Sequence, residues 1–156
     1  MGFIQVEILT HGKKLSFEME SHGLYQLDFP KNTLKTLDKI LSVLITDDRI
    51  ILRTEDCDFR HGALQAPWLK DNRRMNNIDA YDRDGNHLWN IGDIVGDIKM
   101  SFTGCHLTSN SQLVDDGAIN TETAYSANLL VCFSGGYRFI IDPIHQTVIS
   151  KTSGKW

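Results

Sequence analysis

Cysteine, proline and long apolar runs are all scarce in this chain, and each scarcity excludes something. The only cysteines are Cys57, Cys105 and Cys132, and no two of them stand in a CxxC pair. An odd, widely spaced set argues against a disulfide framework or a zinc ribbon and suits reduced, mostly buried thiols. With only three prolines, little breaks the patterning of the strands. The longest mostly apolar stretch, Ile40 to Ile45, falls far short of the ~20 residues a membrane-spanning helix needs. Met1-Gly2-Phe3-Ile4-Gln5-Val6-Glu7 has neither the basic start nor the apolar core of a secretion signal. These features predict a cytoplasmic protein without a membrane partner.

The familiar catalytic frames are missing too. There is no GxSxG elbow, no Walker-type phosphate loop, and no GxGxxG after a strand. Gly135-Gly136 lies between two apolar runs, where a turn accounts for it. The histidines (His11, His22, His61, His87, His106 and His145) show no HxH or HExxH spacing. Cys105 and His106 are neighbours, so in a strand they point to opposite faces and cannot readily share a metal. Only residue type supports a catalytic pairing of Cys57 with His61. Asp82-Arg83-Asp84-Gly85-Asn86 looks like the start of a calcium loop but lacks the later ligands, the terminal Glu and the flanking helices. The sequence therefore points to no catalytic residue, no metal and no cofactor.

What is present is the composition of one folded domain spanning residues 1–156, with 41% hydrophobic and 23% charged residues. Charge is uneven along the chain. Residues 1–74 carry 11 basic and 11 acidic side chains, which cancel. Residues 75–142 carry Arg83, Lys99 and Arg138 against Asp79, Asp82, Asp84, Asp93, Asp97, Asp115, Asp116, Glu122 and Asp142, a net of −6. Such a segment repels phosphate backbones and disfavours direct nucleic-acid binding, whereas it attracts a basic protein and speeds the encounter.

Patterning predicts a mainly β fold of antiparallel meander sheets with one short helix. Ile4, Val6 and Ile8, then Leu15, Phe17 and Met19, alternate with polar residues around His11-Gly12-Lys13, which reads as a hairpin. Leu34, Leu37, Leu41 and Leu44 recur at helical steps after Asn32, predicting a short helix or turn that ends near Lys39. Two strands follow around Thr46-Asp47-Asp48-Arg49. Another hairpin joins Ile78–Tyr81 to His87–Ile91 through an Asp-Gly turn. Ile98, Met100 and Phe102 predict a strand ending near Thr103-Gly104, and three strands fill residues 129–150. Residues 56–77 and 108–126 lack a sustained period and read as long irregular loops, which are often functional. Trp89 alternates as a core residue, whereas Trp68, after Pro67 in the first loop, is a candidate interface anchor.

Tyr81-Asp82-Arg83-Asp84-Gly85-Asn86-His87-Leu88-Trp89 has the length and outline of Ile141-Asp142-Pro143-Ile144-His145-Gln146-Thr147-Val148-Ile149. Each places an apolar residue and an Asp before a polar turn, then an apolar return strand. The YDRDGNHLWNI stretch resembles the hairpins of β-propeller blades and implies a partial, roughly two-blade, propeller-like stack. In overall profile the chain also resembles immunity proteins of bacterial contact-dependent growth inhibition and related toxin systems. That resemblance implies a protein that binds a cognate toxin, often a basic nuclease domain, and blocks it. The resemblance carries over no contact positions; the acidic segment itself offers Asp79, Asp82, Asp84, Asp93, Asp97, Asp115, Asp116 and Glu122 as candidate contacts, those around Asp79–Asp84 and Asp115–Glu122 mimicking phosphates, with Trp68 as the aromatic anchor. The alternative is a small ligand-binding or enzymatic β domain with a pocket between its sheets.

Overall fold

The computed structural model describes residues 5–8, 16–19, 25–36, 39–55, 76–96, 98, 100–120 and 125–154. Within these the protein is mainly β, with three sheets and two short helices. β5 (Lys39–Ile45), β6 (Arg49–Glu55), β7 (Ile78–Asp82) and β8 (His87–Asn90) form an antiparallel meander. β9 (Gly104–Ser109), β10 (Asn128–Ser134), β11 (Tyr137–Asp142) and β12 (Thr147–Ser153) form a second. β2 (Ser16–Met19), β3 (Tyr25–Asp28) and β4 (Thr33–Thr36) make a third, smaller sheet.

Strict alternation decides what each sheet touches. Leu44, Ile51, Ala80 and Trp89 of the first meander meet Leu107, Leu130, Phe139 and Ile141 of the second in one buried core. The odd-numbered residues Val43 and Ile45, with Ile50 and Leu52, turn the other way and bury Phe29 and Leu34 of the smaller sheet's β3–β4 segment. Ile40 joins this second cluster despite its even number, because the β5–β6 ladder slips between Ile40 and Ser42 and re-aims it. On the outer face of the second meander, Leu129, Val131 and Ile140 pack against Leu113 of α2 (Asn110–Asp115). The order is therefore small sheet, first meander, second meander, helix. α1 (Gly92–Val95) closes the side beside β8, and Ile94 and Val95 pack against the central core.

The two meanders also match in detail. Their ladders break at Ala80/Tyr81 and at Ile140/Ile141, the same place in each of the two hairpins that the sequence pairs. Asp82 then accepts the backbone N–H groups of Asp84 and Asn86, as Asp142 accepts those of Ile144 and His145. Two sheets sharing a core are common to sandwiches and to neighbouring propeller blades, so what this arrangement shows is two stacked meanders.

Four expectations are corrected. No hairpin joins residues 4–8 to 15–19: β1 (Gln5–Ile8) pairs in parallel with β5, and β2 pairs with β3. The helix expected over residues 32–39 is strand β4 where described, and the helices are α1 and α2. The loop expected at 108–126 contains α2, started by Ser109, whose hydroxyl accepts the backbone N–H of Gln112. Most of the other expected loop, residues 56–75, lies outside the described residues.

The fourth correction has a clear cause. The described part of residues 98–103 is not a strand. Buried Asn77 uses its side-chain amide as a substitute peptide there: it donates to the Phe102 carbonyl (3.0 Å) and accepts the Phe102 N–H (2.7 Å). Its Nδ2 also donates to the Thr54 carbonyl. Ser134 Oγ holds the Met100 carbonyl at 2.6 Å. Side chains thus satisfy backbone groups that a ladder would otherwise satisfy. Asn77→Ala removes all three bonds of Asn77 inside the protein and is expected to cost about 2–3 kcal/mol, read as a lower urea midpoint with unchanged slope.

Candidate functional site

The carboxylates gathered by the fold lie at one end of the first meander. Arg49 of β6 faces Asp82 of β7, so the β5–β6 turn and the β7–β8 turn project side by side. Arg83 Nη1 ties them by donating to the Thr46 carbonyl at 2.8 Å. The segment between β3 and β4 closes against the same place: Asn32 Nδ2 donates to the Asp84 carbonyl at 2.8 Å, and Lys31 Nζ lies 3.3 Å from Asp84 Oδ2. Gly85, at φ +92°, makes this approach possible, because a Cβ there would stand 2.8 Å from the Phe29 ring.

This three-turn rim carries Asp28, Asp47, Asp48, Asp82 and Asp84 against Lys31, Arg49 and Arg83, five acidic groups to three basic. All three cations are turned to local work, Arg83 on Thr46, Arg49 beside Asp48 at 3.7 Å and Lys31 beside Asp84. Asp47 and Asp48 are exposed. Asp82 is the organiser: its carboxylate accepts the Asn86 amide and the backbone N–H groups of Asn86 and Asp84. The Asn86 side chain, then its backbone N–H, holds the Asp82 carboxyl below the usual carboxylate range. That shell of donors also explains the calcium-like sequence as a hairpin turn.

The other predicted contacts lie elsewhere. Asp79 and Asp93 sit at the opposite end of the β7–β8 hairpin, joined through Asn90, which donates its side-chain amide to Asp79 and its backbone N–H to Asp93. Asp79 also meets His87 Nε2 at 2.9 Å. With Asp79 so close and its ring largely buried, Tyr81 has its hydroxyl pushed up to about 12, chiefly by burial, and stays neutral. Asp115 and Asp116 end α2, on the far face of the second meander. Trp68, Asp97 and Glu122 lie outside the described residues. The eight predicted carboxylates therefore do not make one wall. Asp82 and Asp84 belong to the rim, and Asp28, Asp47 and Asp48 are rim members that a charge tally along the chain missed.

A second polar cluster has the residue types of a hydrolase without its geometry. Fully buried Asp142 accepts Ser126 Oγ (2.6 Å), the Ser126 N–H (2.9 Å) and His145 Nδ1 (2.9 Å). In a catalytic triad the imidazole stands between carboxylate and hydroxyl. Here the carboxylate stands between the other two, so nothing activates the serine. Burial alone would raise the Asp142 carboxyl, but the bonds from Ser126 and His145 outweigh it and hold it well below the usual range. This is a structural knot that fixes the β11–β12 turn.

Leu44, Ile51, Leu130, Phe139, Phe102 and Trp89, all buried, form the apolar core between the two meanders. Among the described residues no three His, Cys, Asp or Glu side chains are placed to hold a metal ion, and no helix is long and apolar enough to cross a membrane. No protein-family model, curated protein or solved structure matches the chain.

Proposed function

We propose that the protein is an inhibitory binding protein, of the toxin-neutralising immunity kind, which docks its acidic rim on a basic protein partner such as a nuclease domain. The observation that carries this reading is the convergence of three turns from two sheets at one end, with carboxylates in excess. A rigid sheet framework presents those carboxylates with little further ordering on binding, which favours fast, salt-sensitive association. Occlusion of a cleft meant for phosphates would then keep nucleic acid out. The cytoplasm, where such a partner would act on the cell's own nucleic acid, is the setting this proposal requires.

The test is to measure binding to the toxin domain encoded beside the gene, by calorimetry and by stopped flow, across a salt series. The triple variant Asp47→Asn, Asp48→Asn, Asp84→Asn is expected to weaken binding about tenfold, mostly through a slower on-rate, at a few tenths to 1 kcal/mol per pair. Asp115→Asn with Asp116→Asn, on the far side of the molecule, is expected to change nothing. Binding that ignores both the triple variant and salt removes the rim from the contact.

A further inference from the structure

We propose that Cys105 and Cys132 form a reversible cross-strand disulfide, making the second meander a redox-responsive element. The two residues are direct partners in the β9–β10 ladder, which runs without a slip from Asn128/Ser109 to Phe133/Gly104. Both side chains face the central core.

The hydrogen-bond pattern settles which kind of pair they are. Just beyond the ladder, the Asn110 N–H donates to the Ala127 carbonyl at 2.7 Å, and these two residues continue the same register. Bonded and non-bonded pairs alternate in an antiparallel ladder. Counting back from Asn110 to Cys105 crosses an odd number of positions, so Cys105/Cys132 is a non-bonded pair. In such pairs the Cα atoms approach to ~4.5 Å, inside the ~4.4–6.8 Å span of disulfides. Opposed Cβ atoms stand ~4.5–5.5 Å apart, whereas a disulfide wants ~3.5–4.5 Å. The bond therefore draws the strands together and carries strain, which makes it easily reduced rather than a permanent staple.

Ser42 of β5, fully buried, places Oγ 3.6 Å from Cys105 Sγ, a polar contact across an otherwise apolar core. Cys132 is fully buried and Cys105 slightly less so, and burial, reinforced by the neighbouring Cys105, pushes the Cys132 thiol up. Cys105, the less buried of the two, is reached first when the second meander opens locally, and Cys132 is the resolving thiol. With glutathione disulfide as oxidant, the Cys105 thiolate attacks one sulfur and expels a glutathione thiolate. The Cys132 thiolate then attacks the Cys105 sulfur of that mixed disulfide and expels the second. Two protein thiols are oxidised, one glutathione disulfide is reduced to two glutathiones, and the two thiol protons end on them.

The test uses the full chain, folded, incubated with glutathione disulfide, trapped with N-ethylmaleimide and mapped by mass spectrometry. The expected product has lost the mass of two hydrogens and yields one linked peptide pair containing Cys105 and Cys132, unchanged in Cys57→Ser and absent in Cys105→Ser. Its melting midpoint is expected to rise by ~5 °C and to return on adding dithiothreitol. The proposal is overturned if the folded protein keeps both thiols over the time in which the urea-unfolded chain becomes linked, or if every link includes Cys57.

Discussion

Trp89→Ala is expected to remove about 3–5 kcal/mol of stability. Trp89 is almost wholly buried in the central core and is the largest side chain there. It also does something that no aliphatic residue could. Its Nε1 donates to the Pro143 carbonyl at 2.9 Å, so a strand of the first meander holds the β11–β12 turn of the second. Trp89→Phe separates the two contributions: most of the apolar contact survives while a buried carbonyl loses its donor, for an expected loss of about 1–2 kcal/mol. Urea melts followed by circular dichroism measure both. Equal losses from the two variants would mean that packing around the indole contributes little.

Asp142 should produce the second large effect. Asp142→Asn keeps the shape but sets an amide N–H against donors from Ser126 or His145, and about 3 kcal/mol is expected to be lost at neutral pH. The pH dependence gives this prediction its signature. A carboxyl whose folded-state pKa is depressed contributes stability above its unfolded value, ~3.9, and that contribution fades as the pH falls towards the folded value. Asp142 is of this kind. The gap between wild type and Asp142→Asn is therefore expected to be constant from neutrality to about pH 5 and to narrow below about pH 4. A gap that persists undiminished at pH 2 would show that the carboxylate's charge is not what holds the turn.

Much of this architecture is legible in the residues, and the parts that are not share a cause. β5–β6, β7–β8 and β10 to β12 are adjacent in the chain and joined by short turns, so alternation and turn chemistry together identify strand and partner. The alternation at Gln5–Ile8 correctly marks a strand. Its partner, β5, is 37 residues away in register and parallel, and nothing local encodes that. The leucines from Leu34 onward fit helical spacing, yet β4 pairs with β3 and β5 is sandwiched between β1 and β6, so the sheet contacts override the local preference. One missed signal was available: Ser109 before Asn110 is an N-cap residue, and it caps α2.

The rim was partly legible for the same reason. Asp82 and Asp84 stand out as the turn of a hairpin, and the segment around them is acidic. Asp28, Asp47 and Asp48 fall in a stretch whose charges cancel when counted along the chain. They become neighbours of Asp84 only because Arg49 pairs with Asp82 and Asn32 reaches the Asp84 carbonyl.

Most of the described strand faces have a cover: the other meander, the small sheet, or α2 with its neighbours, whereas Leu88 of β8 and Val148 of β12 stay exposed. Among the described residues, the turns at the sheet ends and the outer strands β8 and β12 are what these layers leave open to contact. Exchanging exposed side chains such as Asp47 and Asp48 therefore changes what the turn end presents while the apolar layers behind it stay in place.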